Sequence, residues 1–433
     1  MIVTSAATII DHLTEARSRT LQLVADLTDE QLMGPRLPIV NPLLWEIGHL
    51  VWFHEKWILR HLWKEDPIRS DADLLYDSAK VAHDTRWDLP LPGRPETLSY
   101  MAEVLERIGE KLQLREPSEQ EVYFYLLALL HEDMHDEAFT YTRQTLGYPS
   151  PRLHEGNDSG IKTAPGKGGP LNGDVEIPGG TFKLGAESST FFVFDNEKWA
   201  HAVEVRPFRI ARAPVTNTEF LAFVEDRGYE REQWWTSEGW EWRQQTGAEH
   251  PVYWRRASPN GWTRRNFEEV VPLEEHLPVI HVNRHEGEAY CSWAGRRLPT
   301  EAEWEMAASF ELGSGDQKRL FPWGDEPPTA ARANLDWEAM GCVEAGALPE
   351  GDSAVGCRQM IGNVWEWTAS DFLPYPGFVV DPYKDYSKPW FGTHKVLRGG
   401  CWTTRSRLIR NTWRNYYPPD RRDVWAGFRT CAL

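Results

Sequence analysis

Apolar positions recur at helical spacing through most of the first 150 residues and lose that period afterwards. In residues 4–27, Ile9, Ile10, Leu13, Ala16, Leu21, Leu23 and Val24 fall broadly on a 3.6-residue repeat, which predicts an amphipathic helix. Gly34-Pro35 and Pro38 break the pattern. A second helix is expected over residues 41–63, with Asn41 as N-cap and Pro42 in the first turn. Residues 74–95 read as irregular, and their aromatic and charged side chains argue for a structured, functional loop. A third helix is expected over 96–114. A fourth, over 119–146, has good helix formers and no internal Pro or Gly.

The stretch 155–173, rich in Gly, Pro and small polar residues, reads as a linker. Short β-like runs, Gly-Gly pairs and many aromatics follow it. Residues 175–182 predict strand, turn, strand. Helices are expected at 284–293 and 300–310, the latter capped by Thr300 with Glu303 three residues on. The organisation is therefore α+β: a helical bundle over 1–153, a linker over 154–174, and a loop-rich mixed domain over 175–433.

Charge narrows the function. Lys+Arg 47 against Asp+Glu 65 leaves a net charge of −18, unsuited to nucleic acid or anionic membranes. No apolar run approaches the ~20 residues that span a bilayer. The N-terminus lacks a basic n-region, and the five Cys contain no CxxC, which points to reduced thiols in a cytoplasm. Some of the 22 Trp could line a pocket for a flat or cationic ligand.

The sharpest chemical signal is His131-Glu132-Asp133-Met134-His135. Residues four apart share a helix face, so His131 and His135 form half of a metal site. His49, flanked by Leu44, Ile47, Leu50 and Val51, points inward on the second helix, either as a packed core residue or as a third ligand. The same pentapeptide also fits a zinc hydrolase with Glu132 as general base, and a non-catalytic binding scaffold is a further alternative.

Longer motifs carry a family resemblance. Ile177-Pro178-Gly179-Gly180-Thr181-Phe182, Pro214-Val215-Thr216-Asn217, Gly295-Arg296-Arg297-Leu298-Pro299-Thr300-Glu301-Ala302-Glu303-Trp304-Glu305, Pro322-Trp323-Gly324, Gly362-Asn363-Val364-Trp365-Glu366-Trp367 and Arg398-Gly399-Gly400 resemble the formylglycine-generating-enzyme (sulfatase-modifying-factor) fold, a loop-rich, C-type-lectin-like domain. Where that enzyme has two copper-binding cysteines, this chain has Thr404 and Ile409. The N-terminal half resembles the DinB-type four-helix bundle that is fused to this fold in ergothioneine sulfoxide synthases. Val81-Ala82-His83-Asp84-Thr85-Arg86-Trp87-Asp88-Leu89-Pro90-Leu91-Pro92, Phe194-Asp195-Asn196-Glu197-Lys198-Trp199 and His131-Glu132-Asp133-Met134-His135 resemble the selenoneine synthase branch of that family more narrowly.

The resemblance implies Fe(II) on His49, His131 and His135. It also implies O₂-dependent coupling of a sulfur or selenium donor to the imidazole of hercynine, Nα-trimethylhistidine. In the selenoneine branch the donor is a selenosugar. In the alternative it is cysteine, γ-glutamylcysteine or another thiol. Trp87, Trp413, Tyr416, Tyr417 and Trp425 are candidates to face the trimethylammonium group, and Asn415 stands where relatives bind substrate. Tyr417 replaces an acidic residue that binds γ-glutamylcysteine in some relatives, and Met134 stands where others have Gln. Asp84, Arg86, Asp88 and Asn196 could bond sugar hydroxyls, although Arg86 also reads as half of a surface ion pair. The family's proton- or electron-donating tyrosine corresponds to Tyr383 or Tyr386. Asn363 and Glu366 could hold a structural Ca²⁺, as in related folds.

Overall fold

The computed structural model describes residues 5–153, 168–188, 192–258, 261–310 and 318–433. The chain divides into two compact units, Met1–Asp158 and Ser159–Leu433. Most of the expected linker, residues 154–167, lies outside the described residues, as does Thr4 at the expected start of the first helix.

The first unit is helical. Helix α1 (Ala6–Val24) starts at Ser5, whose hydroxyl accepts from the Thr8 amide, and buries Ile9, Leu13, Ala16 and Leu23. A five-residue helix absent from the sequence reading, α2 (Asp29–Met33), follows under a Thr28/Gln31 capping box. Helix α3 (Leu43–His54) passes directly into a π-helical stretch, Glu55–Leu62. Its start corrects the expected N-cap. Pro42 occupies that position, while the Asn41 side chain accepts instead from Arg86 Nη1 at 2.6 Å. The stretch expected to be irregular contains most of a short α4 (Ala72–Tyr76) and one 3₁₀ turn, His83–Thr85. Helix α5 (Arg94–Leu114) carries Pro95 in its first turn, where no amide partner is lost.

Helix α6 (Glu119–Leu146) has the bounds its composition predicts. A Ser118/Glu121 capping box starts it, and Gly147, at φ 68°, ends it in the left-handed conformation that glycine tolerates best. It packs on α1 and α3 through a core that includes Leu126, Leu127, Leu129 and Leu130.

The second unit is built from short strands and long connections. Its first two strands, β1 (Asp174–Ile177) and β2 (Gly180–Leu184), do not pair with each other. Next come β3 (His201–Val205), β4 (Phe208–Ala211), α7 (Asn217–Glu225), α8 (Ser237–Thr246), β5 (Trp254–Ser258), β6 (Gly261–Asn266) and β7 (Glu269–Pro272). Then follow α9 (Arg284–Trp293), β8 (Arg296–Arg297), α10 (Glu301–Ser309), β9 (Trp365–Asp371), β10 (Lys395–Arg398), β11 (Asn415–Tyr417), β12 (Ala426–Gly427) and β13 (Cys431–Ala432). Among the described residues the sheet orders are β1-β4-β13-β8, β11-β10-β9-β12, β2-β3 and β5-β6-β7. Helices α9 and α10 stand where expected, and the Thr300/Glu303 capping box is present.

So many loops leave buried carbonyls that no ladder satisfies, and buried arginines bond them. Arg398 pairs with Glu305 and donates to the carbonyls of Asn411 and Thr412. Arg429 pairs with Glu366 and donates to that of Arg358. This arrangement corrects the expected calcium site. Both Glu366 oxygens accept from Arg429, and one also takes the Trp304 indole N–H at 2.7 Å. Asn363 Oδ1 accepts from Asn334 and from the Val343 amide. At Glu366 a guanidinium already supplies the positive charge.

The two copper-cysteine positions sit together. A Cβ on Gly400 would lie 2.8 Å from Ile409 Cδ1 and 3.3 Å from Thr404 Oγ1. All five cysteines are free thiols. Among the described residues no helix is long and apolar enough to cross a membrane.

Candidate metal centre

His49, His131 and His135 converge inside the first unit, each offering one ligand atom within 4.8 Å of the others. Helix α6 supplies two of them through its i, i+4 spacing, and α3 supplies the third. His49 Nδ1 lies 2.8 Å from the Tyr76 carbonyl, which can only accept, so Nδ1 carries the proton and Nε2 the lone pair. His135 Nδ1 lies 2.6 Å from Glu46 Oε1, which sets the same tautomer. Such outer partners fix ring orientation and strengthen an imidazole as a ligand. The third ring, His131, stacks on Phe53 with centroids 3.7 Å apart and planes 5° from parallel.

Electrostatics favours neutral rings. Burial, followed by the neighbouring His135, pushes both His49 and His131 well below the usual histidine pKa. Local packing makes room for the arrangement. A Cβ on Gly48 would fall 2.2 Å from the Tyr76 ring, so the glycine lets Tyr76 approach and present its carbonyl to His49. The donor set therefore suits a divalent ion that prefers imidazole nitrogen.

The other candidate residues of this unit have definite partners. Met134 is half-buried one residue before His135. The Trp87 indole N–H donates to the Met33 and Gly34 carbonyls, and Arg36 stands 5.8 Å over its ring. Asp84 and Asp88 are exposed, and Asp88 pairs with Arg36. Arg86 is not part of a surface ion pair. It is buried against Trp45.

In the second unit the structure brings Tyr383, Tyr386, Trp413 and Tyr416 into one aromatic group. Tyr386 stacks on Phe194 at 4.3 Å, with Tyr383 and Tyr416 each 6.0 Å from it. The Tyr416 hydroxyl donates to the Tyr386 carbonyl, and its ring stacks on Phe372 at 4.0 Å. Burial pushes the Tyr386 phenol well above its ordinary pKa, although the neighbouring Trp413 indole opposes this. Asn415 Oδ1 accepts from the Tyr416 amide at 2.8 Å, and Arg421 lies 5.2 Å over the Tyr417 ring. Trp425 is buried against Trp402 and His281, apart from this group. Asn196, expected to offer hydrogen bonds to a sugar, is buried and donates to Ser387 Oγ at 3.1 Å.

Comparison with known proteins agrees with this architecture. Residues 12–137 match the DinB superfamily, and residues 161–432 match the sulfatase-modifying factor enzyme 1-like domain. The hercynine oxygenase of Mycolicibacterium smegmatis is 38% identical over 430 residues, covering 98% of each chain. That of Mycobacterium tuberculosis is 38% identical over 432 residues, covering 99% of each. The formylglycine-generating enzyme of Thermomonospora curvata is 34% identical over 298 residues, covering 60% of this chain and 93% of its own. The chain belongs to the hercynine oxygenase family.

Membership in that family of enzymes agrees with what happens to Glu132, the residue a zinc hydrolase would use as base. Glu132 is buried on Arg17 at 2.8 Å, His54 at 3.0 Å and the Thr20 hydroxyl at 2.8 Å. Its oxygens are occupied inside the bundle.

Sequence reasoning missed Glu46, Tyr76 and Trp45. Glu46 stands three residues before His49, and that spacing was a usable signal. Replacing Glu46 by Ala is expected to weaken metal binding by roughly 10–100-fold, as for other outer partners of metal-bound histidines, with Glu46→Gln milder because its amide oxygen still accepts. Metal titration of the folded variants checks this, and an unchanged affinity in Glu46→Ala would remove Glu46 from the centre.

Proposed function

We propose that this protein is an Fe(II)- and O₂-dependent enzyme that joins the imidazole carbon of hercynine to the selenium of a selenosugar. The observation that carries the iron reading is the convergence of three imidazoles, two of them oriented through the far nitrogen by Tyr76 and Glu46. Bound iron would supply O₂ activation and a positive centre for an anionic selenolate or thiolate. Neutral histidines leave that charge undiminished, whereas a carboxylate ligand would lower it.

The chain's own groups have separate tasks. The aromatic group around Tyr416 and Trp413 suits a trimethylammonium head through cation–π attraction. Asn415 and Tyr417, half-buried on β11, are the candidates to orient hercynine and the donor. Tyr386, a phenol whose pKa burial raises further above its ordinary value, can hold a proton for delivery, and Tyr383 is the alternative.

The selenium reading rests on Tyr417 and Met134. Tyr417 lacks the carboxylate that binds γ-glutamylcysteine in some relatives, and Met134 is apolar where others have a polar Gln beside the second histidine of the pair. A selenol is also more acidic than a thiol, whose pKa is about 8.5, so more of it is the anion near neutral pH. The second reading is C–S bond formation from a thiol, with the same iron chemistry. Under air and Fe(II), kcat/KM for a selenosugar is expected to exceed that for cysteine or γ-glutamylcysteine by at least about tenfold, an energy difference of about 1.4 kcal/mol. Preference for either amino-acid thiol would establish the sulfur reading and leave the iron site as proposed.

A further inference from the structure

Trp45 lies nearly flat on His49, with ring centroids 5.0 Å apart and planes 9° from parallel. Its indole N–H donates to the Leu75 carbonyl at 2.7 Å, which pins the ring. The Arg86 guanidinium carbon stands 3.8 Å from the centre of the same indole. Arg86 Nη1 donates to Asn41 Oδ1 at 2.6 Å and Nη2 to the Val81 carbonyl at 3.3 Å, both uncharged acceptors. The nearest carboxylate acting on it is Glu46, which is already bonded to His135. Burial pushes Arg86 down to about 10, so it remains a cation at neutral pH. A buried cation without a bonded counter-ion is costly.

We infer that Arg86 is a positioning residue of the metal centre: pressed on Trp45, it fixes the indole against His49 and lays a positive charge beside the histidines that favours the ferrous over the ferric ion. The inference rests on the iron reading above. The guanidinium carbon is at most about 9 Å from the centre of the His49 ring. At an effective dielectric near 20, a unit charge about 9–12 Å away shifts a one-charge equilibrium by roughly ten- to twentyfold. The indole accepts the cation on its π-face, so the charge is held without a carboxylate that would cancel it.

The test uses the full chain loaded anaerobically with Fe(II), with Arg86→Met removing the charge and Arg86→Lys keeping it without the planar fork. Arg86→Met is expected to favour the ferric form about tenfold, a fall of about 59 mV for one electron. Arg86→Lys is expected to restore most of that shift, and Zn²⁺ is expected to bind Arg86→Met at least as tightly as the unaltered chain. If Arg86→Met does not fold, Arg86→Gln takes its place with the same expectation. An unchanged potential, or equal falls in the Met and Lys variants, would overturn the inference, because packing alone would then explain Arg86. Failure of the unaltered chain to bind iron would instead overturn the iron reading, and that outcome is seen before any variant is made.

Discussion

Replacing any one of His49, His131 and His135 by Ala is expected to lower iron from about one per chain towards zero and to abolish O₂ uptake with hercynine. The loss should exceed the roughly 10–100-fold typical of an outer partner such as Glu46, because a coordinating atom itself is removed. Truncating His135 leaves the smallest cavity, because it is half-buried whereas His49 and His131 are buried among aromatic rings. Its loss also strips buried Glu46 of its partner. Iron content, O₂ consumption and circular dichroism on the same samples separate loss of metal from loss of fold. Full iron occupancy in a folded His49→Ala variant would remove that residue from the site. Zinc in the purified chain, with no O₂ uptake, would sink the oxygenase reading altogether.

Some of this centre was legible in the sequence. An i, i+4 histidine pair inside an uninterrupted helix is a local signal, and α6 has the predicted bounds. His49 was legible as an inward residue, but only the family resemblance made it a ligand. What holds the rings was only partly legible, because it crosses between elements: Glu46, one turn before His49, was a usable signal, but its partner on another helix was not. The Tyr76 carbonyl reaches His49 from α4, and Glu46 on α3 reaches His135 on α6. A backbone oxygen leaves no mark in a residue pattern.

The same distinction runs through the second unit. A capping box announces α10, and the Asn283/Glu286 and Thr216/Glu219 boxes that start α9 and α7 were equally available in the residue pattern. Sheet order was not available, since strands of two to seven residues pair with distant partners, as β4 does with β1 and β13. The calcium expectation failed for a related reason. Asn363 and Glu366 have the right chemistry, but Arg429, 63 residues beyond Glu366, occupies the carboxylate.

Glu132→Gln is expected to destabilise the first unit by about 3–5 kcal/mol, the usual consequence of breaking a buried ion pair from one side. One residue along a helix turns the side chain by about 100°, so Glu132 faces away from its neighbour His131. There it accepts from Arg17 and Thr20 and lies 3.0 Å from His54, all buried. Burial works against its charge, but Arg17 and His54 outweigh that and hold the carboxyl below the usual glutamate range. Its contribution to stability is therefore complete above the unfolded pKa of about 4.3 and is lost as the pH falls through the lower folded value. Urea midpoints measured from neutral pH downward should fall through that window for the unaltered chain and fall less for Glu132→Gln, which has no such carboxylate to titrate. Iron in the folded fraction should stay near one per chain, because Glu132 is not a ligand. A variant with unchanged stability but no activity would instead identify Glu132 as a reacting group and return the pentapeptide to the hydrolase reading.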